Sequence, residues 1–266
     1  MNVAAQRDFA RDYAAHRQAE GRGYSGDALL ALPYLQTEPL ARQWAVRART
    51  FEAFLARLIR TAAAQGRRLD VLDLGAGNGW LSYRIALEGH RATALDIRDD
   101  HIDGLGASKP FLKRADGRMR TLVAPFEEIP APDASFDVAV FNASLHYAID
   151  LSAVLKEAAR VVRPGGQLAI LDSPFYRRDA DGLAMAAEKA AEAPARFGLL
   201  AGTLMALPFI EFLTAGRLAA ASAPIGVEWR RQPVLYPLWY ELRPLTAALR
   251  GRRRPSRFDL WIGARP

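Results

Sequence analysis

The first part of the chain has the hydrophobic spacing of helices. Apolar residues recur at steps of three and four, as in Trp44, Phe51 and Leu55, and this spacing predicts helices with one apolar face. Glycine and proline residues interrupt the pattern between positions 21 and 33. We therefore predict a helical N-terminal cap over residues 1–65 that contains an ordered loop.

After residue 65 the pattern changes to short apolar runs separated by helical patterns and turn residues. This alternation is typical of successive βα units and of a parallel sheet. The predicted strands cover residues 69–74, 91–97, 120–123, 136–141 and 167–171, with two closing strands at 227–234 and 258–263. The fold class is therefore α/β, with a Rossmann-like, seven-stranded and mostly parallel sheet that carries helices on both faces and occupies residues 66–266.

A helical insertion is predicted at residues 177–223, where the sequence is rich in alanine. Its centre, residues 197–213, is apolar on nearly every face of a helix. Such a segment must be buried or must contact something apolar. Two interpretations stay open: burial against the N-terminal cap, or a lid over a ligand site at the carboxyl ends of the strands.

Composition and charge exclude several classes of protein. The chain has no cysteine, so disulfides, cysteine zinc sites and cysteine nucleophiles are excluded. Charged residues within the first twelve positions disfavour a signal peptide, so we expect a cytoplasmic location. The longest uncharged apolar stretch has 14 residues, too few to span a bilayer.

The net charge of +7 comes mainly from the end of the chain. Residues 228–266 contain nine arginines and three acidic residues. The arginine run at 252–254 lacks interleaved aromatic residues, so we interpret it as a solvated loop rather than a nucleic-acid site.

The strongest chemical signal is a glycine-rich turn after the first strand. Gly75, Gly77 and Gly79 follow an apolar run and precede a helical pattern. Glycine permits a sharp turn there and lets a ligand approach the backbone. A dinucleotide fingerprint would place its third glycine at position 80, where the chain has Trp80. The spacing therefore favours a nucleoside without a pyrophosphate.

Asp96 is the second signal. It ends the next apolar strand, 21 residues after Gly75, and a carboxylate in this place can accept both ribose hydroxyls of a nucleoside. The alternative is that Asp96 caps the helix that follows.

Five segments in this order resemble the class I S-adenosylmethionine-dependent methyltransferases, in particular the bacterial small-molecule group that includes the quinone-biosynthesis methyltransferases. The segments are residues 72–79, 94–96, 127–130, 135–139 and 163–166. The resemblance implies methyl transfer from S-adenosyl-L-methionine to a small, partly apolar acceptor, and it does not identify that acceptor.

The resemblance also implies roles for single residues. The implied cofactor-binding residues are Asp73, Gly75, Ala76, Gly77, Gly79, Asp96, Ile97, Pro125, Phe126 and Asn142. The glycine turn would line the methionine and ribose portions with support from Asp73, and Ile97 would pack on the adenine. Pro125 stands where the family often has an acidic residue for the adenine amino group, which leaves the Phe126 amide and ring as the adenine contacts.

His146 is the candidate catalytic residue. It follows the fourth strand, where the family faces the reactive methyl group, and histidine can act as a general base near neutral pH. The alternative is a buried histidine that bonds to the backbone. Two patterns associated with nucleobase methylation, a cysteine and an Asn/Asp-Pro-Pro-aromatic run, are missing from the sequence.

Other candidates carry weaker signals. Tyr13, His16 and Tyr24 in the cap are placed to close over a cofactor or simply to pack. Asp172 and Asn142 suggest magnesium, but a hard cation needs more oxygen ligands than these two, so no metal is predicted. The competing functions are a non-catalytic nucleoside- or polyanion-binding regulator and a nucleotide-dependent oxidoreductase. The sequence does not predict the oligomeric state.

Overall fold

The computed structural model describes residues 3–36 and 39–266. The cap residues Met1, Asn2, Thr37 and Glu38 lie outside the described residues. The first helices are α1 (Val3–Ala19), α2 (Gly26–Ala31), α3 (Ala41–Phe54) and α4 (Arg60–Ala64). A π-helical turn over Leu55–Ile59 joins α3 to α4.

Seven strands form one sheet, as the sequence predicts. The strands are β1 (Asp70–Leu74), β2 (Arg91–Asp96), β3 (Met119–Val123), β4 (Phe136–Asn142), β5 (Val162–Leu171), β6 (Glu228–Gln232) and β7 (Leu260–Ala264). Their order is β3-β2-β1-β4-β5-β7-β6, and β7 is antiparallel to both of its neighbours. The first five strands are parallel, so their carboxyl ends meet at one edge.

β5 begins five residues earlier than its predicted start at 167. Val162 pairs with Phe136 and Gln167 with Val138, so the residues between them bulge out of the β4 register. Gly165 adopts a φ of +76° and donates its amide to the Arg265 carbonyl. The predicted turn at 163–166 is therefore a bulge within the strand rather than a break before it.

Helices cover both faces of the sheet. They are α5 (Trp80–Leu87), α6 (Lys109–Arg114), α7 (Leu151–Val161), α8 (Asp179–Phe197), α9 (Ala201–Leu204), α10 (Ala215–Ser222), α11 (Leu238–Glu241) and α12 (Arg243–Leu249). Successive strand residues enter opposite cores: Val71 packs in one with α3 and α5, and Leu72 packs in the other with α7 and α10. This alternation follows from the two-residue period of a strand.

The N-terminal region divides between two structural roles. Phe51, Phe54 and Ile59 are buried in the same core as the sheet residue Val140. α1 instead packs against α9 of the insertion. The second half of the predicted cap is thus part of the helical layer on the sheet, and α1 is the part that meets the insertion.

The apolar centre of the insertion is helical only in its first part. α9 ends at Leu204, and the chain from 205 to 213 contains no helix. Pro208 cannot donate the amide that a continuing helix would need. This non-helical segment bonds to the loops after β4 and β5, since Glu211 donates its amide to the His146 carbonyl and Leu213 donates its amide to the Pro174 carbonyl. The insertion is therefore attached to the carboxyl edge of the sheet.

Candidate active site

The glycine turn connects β1 to α5, and its three glycines, Gly75, Gly77 and Gly79, all have a positive φ. Gly75 has a φ of +71° and Gly77 a φ of +57°, values that side-chain-bearing residues rarely adopt. A Cβ on Gly75 would lie 2.4 Å from the Cβ of Ser144. Both the backbone angle and the close contact therefore require glycine at position 75.

Asp96 is fixed beside this turn. Its Oδ2 accepts the Gly77 amide at 2.7 Å, and its Oδ1 accepts the Arg98 amide at 2.9 Å. Burial raises the pKa of Asp96, and the nearby Arg98 counters that effect. Because each carboxylate oxygen can accept more than one hydrogen bond, both keep acceptor capacity for a ligand. No helix begins at Asp96, so the alternative role as a helix cap does not describe this residue.

A cavity of about 440 Å³ opens at the carboxyl edge of the sheet. It brings together most of the predicted site residues: Gly75, Ala76, Gly77, Asp96, Ile97, Phe126, Asn142 and His146. Parallel sheets commonly bind ligands at this edge.

Three predicted cofactor residues do not line the cavity: Asp73, Gly79 and Pro125. Asp73 is fully buried and accepts the Ser82 hydroxyl at 2.9 Å, and burial raises its pKa to about 7. Gly79 precedes α5, and a Cβ there would lie 2.7 Å from the Cε of Met119. Asp73 and Gly79 therefore support the turn from within the core.

His146 lies on a short 3-10 turn over Leu145–Tyr147, directly after β4. Its Nδ1 is buried and finds no hydrogen-bond partner within residues 3–36 and 39–266. Burial, together with the positive charge of Lys189, Arg17 and Arg47, lowers the pKa of His146 to about 3. The ring is therefore neutral at physiological pH, and its Nδ1 is free to bond to a ligand.

Aromatic side chains form another part of the cavity wall. The Phe209 ring lies 5.0 Å from that of Phe9 and 5.3 Å from that of Tyr147. The hydroxyls of Tyr13 and Tyr147 are 2.8 Å apart. α1, the loop after β4 and the insertion thus meet in one aromatic cluster.

The other two cap candidates occupy different places. His16 packs its ring 4.9 Å from Phe197 and lines a smaller neighbouring pocket. Tyr24 accepts a hydrogen bond from Trp44 Nε1 at 2.8 Å, and it does not line the main cavity. Of the three cap candidates, only Tyr13 contacts the main cavity.

Arg47 is a cavity residue that the sequence analysis missed. Its Nε lies 3.4 Å from Asp172 Oδ2, and its Nη2 lies 3.3 Å from Asn142 Oδ1. The guanidinium also faces the rings of Trp44 and Trp80, 4.6 and 5.4 Å from their centroids. The cation that Asp172 and Asn142 bind is therefore the buried guanidinium of Arg47. The sequence contained one signal for Arg47, because it is a charged residue on the apolar face of a predicted helix.

A second missed group ties α1 to the glycine turn. Arg17 Nε lies 2.7 Å from Asp103 Oδ2, and Asn78 Nδ2 donates to Asp103 Oδ1 at 3.1 Å. Arg98 Nη2 donates to the Asp103 carbonyl at 2.6 Å. No local pattern signals a pair separated by 86 positions, so only the fold reveals it.

The described residues contain neither a membrane-spanning helix nor a cluster of metal-ligating side chains. Within residues 3–36 and 39–266, no helix is long and apolar enough to cross a membrane. In the same ranges, no three His, Asp or Glu side chains cluster as metal ligands would.

Comparisons with known proteins agree with this geometry. Residues 72–170 match the family described as "Methyltransferase domain". The chain is 36% identical over 167 residues to 27-O-demethylrifamycin SV methyltransferase from Amycolatopsis mediterranei, and the match spans 57% of each protein.

Solved structures share the fold. A candidate sarcosine dimethylglycine methyltransferase from Galdieria sulphuraria superposes with a TM-score of 0.57 and 18% identity over 97% of both chains. The 1,6-didemethyltoxoflavin-N1-methyltransferase of Burkholderia thailandensis, solved with its substrate and S-adenosylhomocysteine, gives a TM-score of 0.51 and 19% identity. That match covers 84% of this chain and 80% of the other. The predicted fold is confirmed, and residues 72–170, which carry the glycine turn and Asp96, are similar to the methyltransferase domain that the sequence resemblance indicated.

Proposed function

We propose that the protein transfers the methyl group of S-adenosylmethionine to a small, partly apolar acceptor. One observation carries this proposal: a single cavity joins the glycine turn and Asp96 to the aromatic wall of Phe9, Tyr147 and Phe209. A cofactor on one side and an apolar acceptor on the other would therefore share one enclosed space.

The residues of the glycine turn fit the cofactor. Gly75 and Gly77 keep the turn free of side chains, and the Asp96 carboxylate retains acceptor capacity for ribose hydroxyls. Ile97 and Phe126 line the same cavity and offer apolar surface for an adenine. Bound S-adenosylmethionine supplies a methyl group that its positively charged sulfur already activates. The protein's main task is therefore to hold the acceptor in line with that methyl group.

His146 is proposed to position the acceptor. A base with a pKa of about 3 holds a proton weakly at neutral pH. The unpartnered Nδ1 is better suited to accept a hydrogen bond from an acceptor hydroxyl or amine. This role keeps His146 in contact with the substrate without requiring it to remain protonated.

α1 and residues 205–213 are proposed to enclose the acceptor. Phe9 of α1 and Phe209 of the insertion contact each other over the cavity. Their enclosure would exclude water and favour an apolar or aromatic acceptor. The similarity to a methyltransferase named for a demethylrifamycin substrate supports a small-molecule acceptor.

The comparisons give no support to the oxidoreductase or to the non-catalytic regulator. The cytoplasmic location and the absence of a nucleic-acid partner stay predictions. So does the boundary at residue 65 between cap and catalytic domain.

The test is a screen for acceptors. Purified protein with S-adenosylmethionine labelled in its methyl group is incubated with fractionated small-molecule extracts, and label in new products is measured. Asp96→Ala serves as the matched variant with impaired cofactor binding. Transfer to a small molecule that depends on Asp96 supports the proposal; label that enters only protein or nucleic acid overturns it.

A further inference from the structure

A stripe of leucines lies exposed along α11 and α12. Leu238, Leu242, Leu245 and Leu249 recur at steps of four, three and four, which places them on one helical face. Their exposed fractions run from 42% to 79%. Backbone bonds from Leu242 to Leu238 and from Thr246 to Leu242 continue the helical path across the junction. We call these four residues the leucine stripe.

The stripe has no partner in the described part of the chain. α12 contains no buried residue. Leu235, which precedes α11 by three residues, is exposed by 89%. A contiguous exposed apolar face of this kind marks an interaction surface rather than ordinary scatter of apolar residues.

Exposed arginines flank the stripe. Arg250, Arg252 and Arg254 follow α12, and none of them forms an ion pair with another residue of the described ranges. The one acidic residue between positions 233 and 258 is Glu241, which is already bound by Arg257 at 2.7 and 3.0 Å. The surface therefore combines apolar side chains with uncompensated positive charge.

We propose that the leucine stripe and the three arginines form a docking surface for an anionic membrane. A helix that lies in the interface buries its apolar face among the lipid chains, and its basic residues contact anionic headgroups. In such a bilayer the leucine stripe would contact lipid chains and the three arginines would contact anionic headgroups.

The charge pattern argues against two other occupants. A second copy of this chain in an antiparallel pairing would set the arginines of one protomer beside residues 233–240 of the other, which contain no acidic residue, so their charge would stay uncompensated. An RNA would engage the arginines but leave the leucines in water.

The docking surface adjoins the cavity wall. Tyr240 of α11 accepts the Phe258 amide at 2.7 Å, and Phe258 lines the cavity. Docking would therefore place one wall of the cavity near the lipid surface. The inference goes beyond methyl transfer and does not depend on it.

The leucine half of the surface is tested by co-sedimentation with vesicles. Full-length protein is mixed with vesicles of phosphatidylcholine alone or with about one third phosphatidylglycerol. Leu245→Gln/Leu249→Gln should bind the anionic vesicles about tenfold more weakly than the wild type. Leu87→Gln/Leu183→Gln removes two exposed leucines elsewhere and should bind as the wild type does. The thermal unfolding midpoint, measured without vesicles, should be nearly equal in all three proteins and reports folding.

The arginine half is tested in the same assay. Arg250→Gln/Arg252→Gln should lose about tenfold in binding to anionic vesicles, and wild-type binding should fall between about 0.05 and 0.5 M salt. Arg67→Gln/Arg68→Gln, just before β1, removes two exposed arginines at the opposite edge of the sheet and should bind normally.

Three outcomes overturn the proposal. The first is that the wild-type protein does not bind anionic vesicles, or that the leucine variant binds them as well as the wild type does. Another is a wild-type dimer, seen by light scattering, that the leucine variant converts to a monomer, since a second copy would then occupy the surface. The third is RNA binding that the arginine variant loses and the leucine variant keeps, with no binding to vesicles.

Discussion

The backbone amide of Gly77 donates a hydrogen bond to the carboxylate of Asp96 across 2.7 Å. This bond ties the turn after β1 to the end of β2, so the two strongest sequence signals form one structural unit. The same carboxylate lines the cavity, where its oxygens can accept further hydrogen bonds from a ligand. Cofactor binding should therefore depend on both residues.

Asp96→Ala should weaken S-adenosylhomocysteine binding while the protein stays folded. Charge-assisted bonds to hydroxyls contribute about 1.5–3 kcal/mol, or roughly tenfold to a hundredfold in affinity. Calorimetric titration measures the change. Asp96→Asn, which keeps one acceptor for the Gly77 amide, separates ligand contact from support of the turn. Asp99→Ala, an exposed carboxylate three positions away, should bind as the wild type does. Unchanged affinity in both Asp96 variants would refute the ribose assignment.

Gly77→Val should abolish cofactor binding. Its φ of +57° disfavours a branched side chain, and a Cβ there would lie 3.2 Å from the Asp103 carbonyl, beside the cavity. Gly117→Val is the matched control, because Gly117 has a φ of +69° and no atom within 4 Å of its added Cβ. Both variants should lose about 1–3 kcal/mol of stability, but only Gly77→Val should lose binding. Normal titration by a folded Gly77→Val protein contradicts this role.

His146→Gln should retain cofactor affinity and lose about tenfold to a hundredfold in methyl transfer, once an acceptor is known. Because the pKa of His146 is lowered to about 3, the ring is neutral above about pH 4 and gains a proton only in stronger acid. The pH dependence of wild type and variant should therefore be parallel between about pH 5 and 8. An inflection near neutral pH in the wild type that the variant lacks would show that His146 titrates there and carries the proton.

Met205→Ser/Phe209→Ser should reduce methyl transfer and leave cofactor affinity within about twofold of the wild type. Phe209 packs on Phe9 and Tyr147 over the acceptor side of the cavity, so its loss admits water and loosens the acceptor. Leu199→Ser, a fully exposed leucine of the same segment, is the control. A folded double variant with the parental transfer rate would show that the segment is packing and not a lid.

The sequence predicts the sheet well because strand periodicity and glycine turns are local. β5 starts earlier than predicted because the turn-like residues around Gly165 form a bulge within the strand. This bulge depends on the pairing with β4, which the sequence does not show. The insertion also differs. Its apolar composition predicts a buried helix, but Pro208 and hydrogen bonds to the loops after β4 and β5 favour a non-helical path for residues 205–213.

The part of the cavity around the glycine turn was predictable from the sequence, and the part lined by the N-terminal helices was less so. The glycine turn, Asp96 and His146 lie at or just after the carboxyl ends of β1, β2 and β4, and these ends meet at one edge of a parallel sheet. Arg47 and Arg17 come from the N-terminal helices, and their partners Asp172 and Asp103 are distant in sequence. Ion pairs of this kind depend on how the helices pack on the sheet, and the spacing of residues along the sequence does not predict them.

Calorimetric titration of the wild-type protein with S-adenosylhomocysteine, NAD and RNA in parallel tests the central claim most directly. The account predicts one S-adenosylhomocysteine site per chain, weakened in Asp96→Ala, and no comparable heat from NAD or RNA. A folded protein that binds NAD, or that fails to bind S-adenosylhomocysteine, would contradict it.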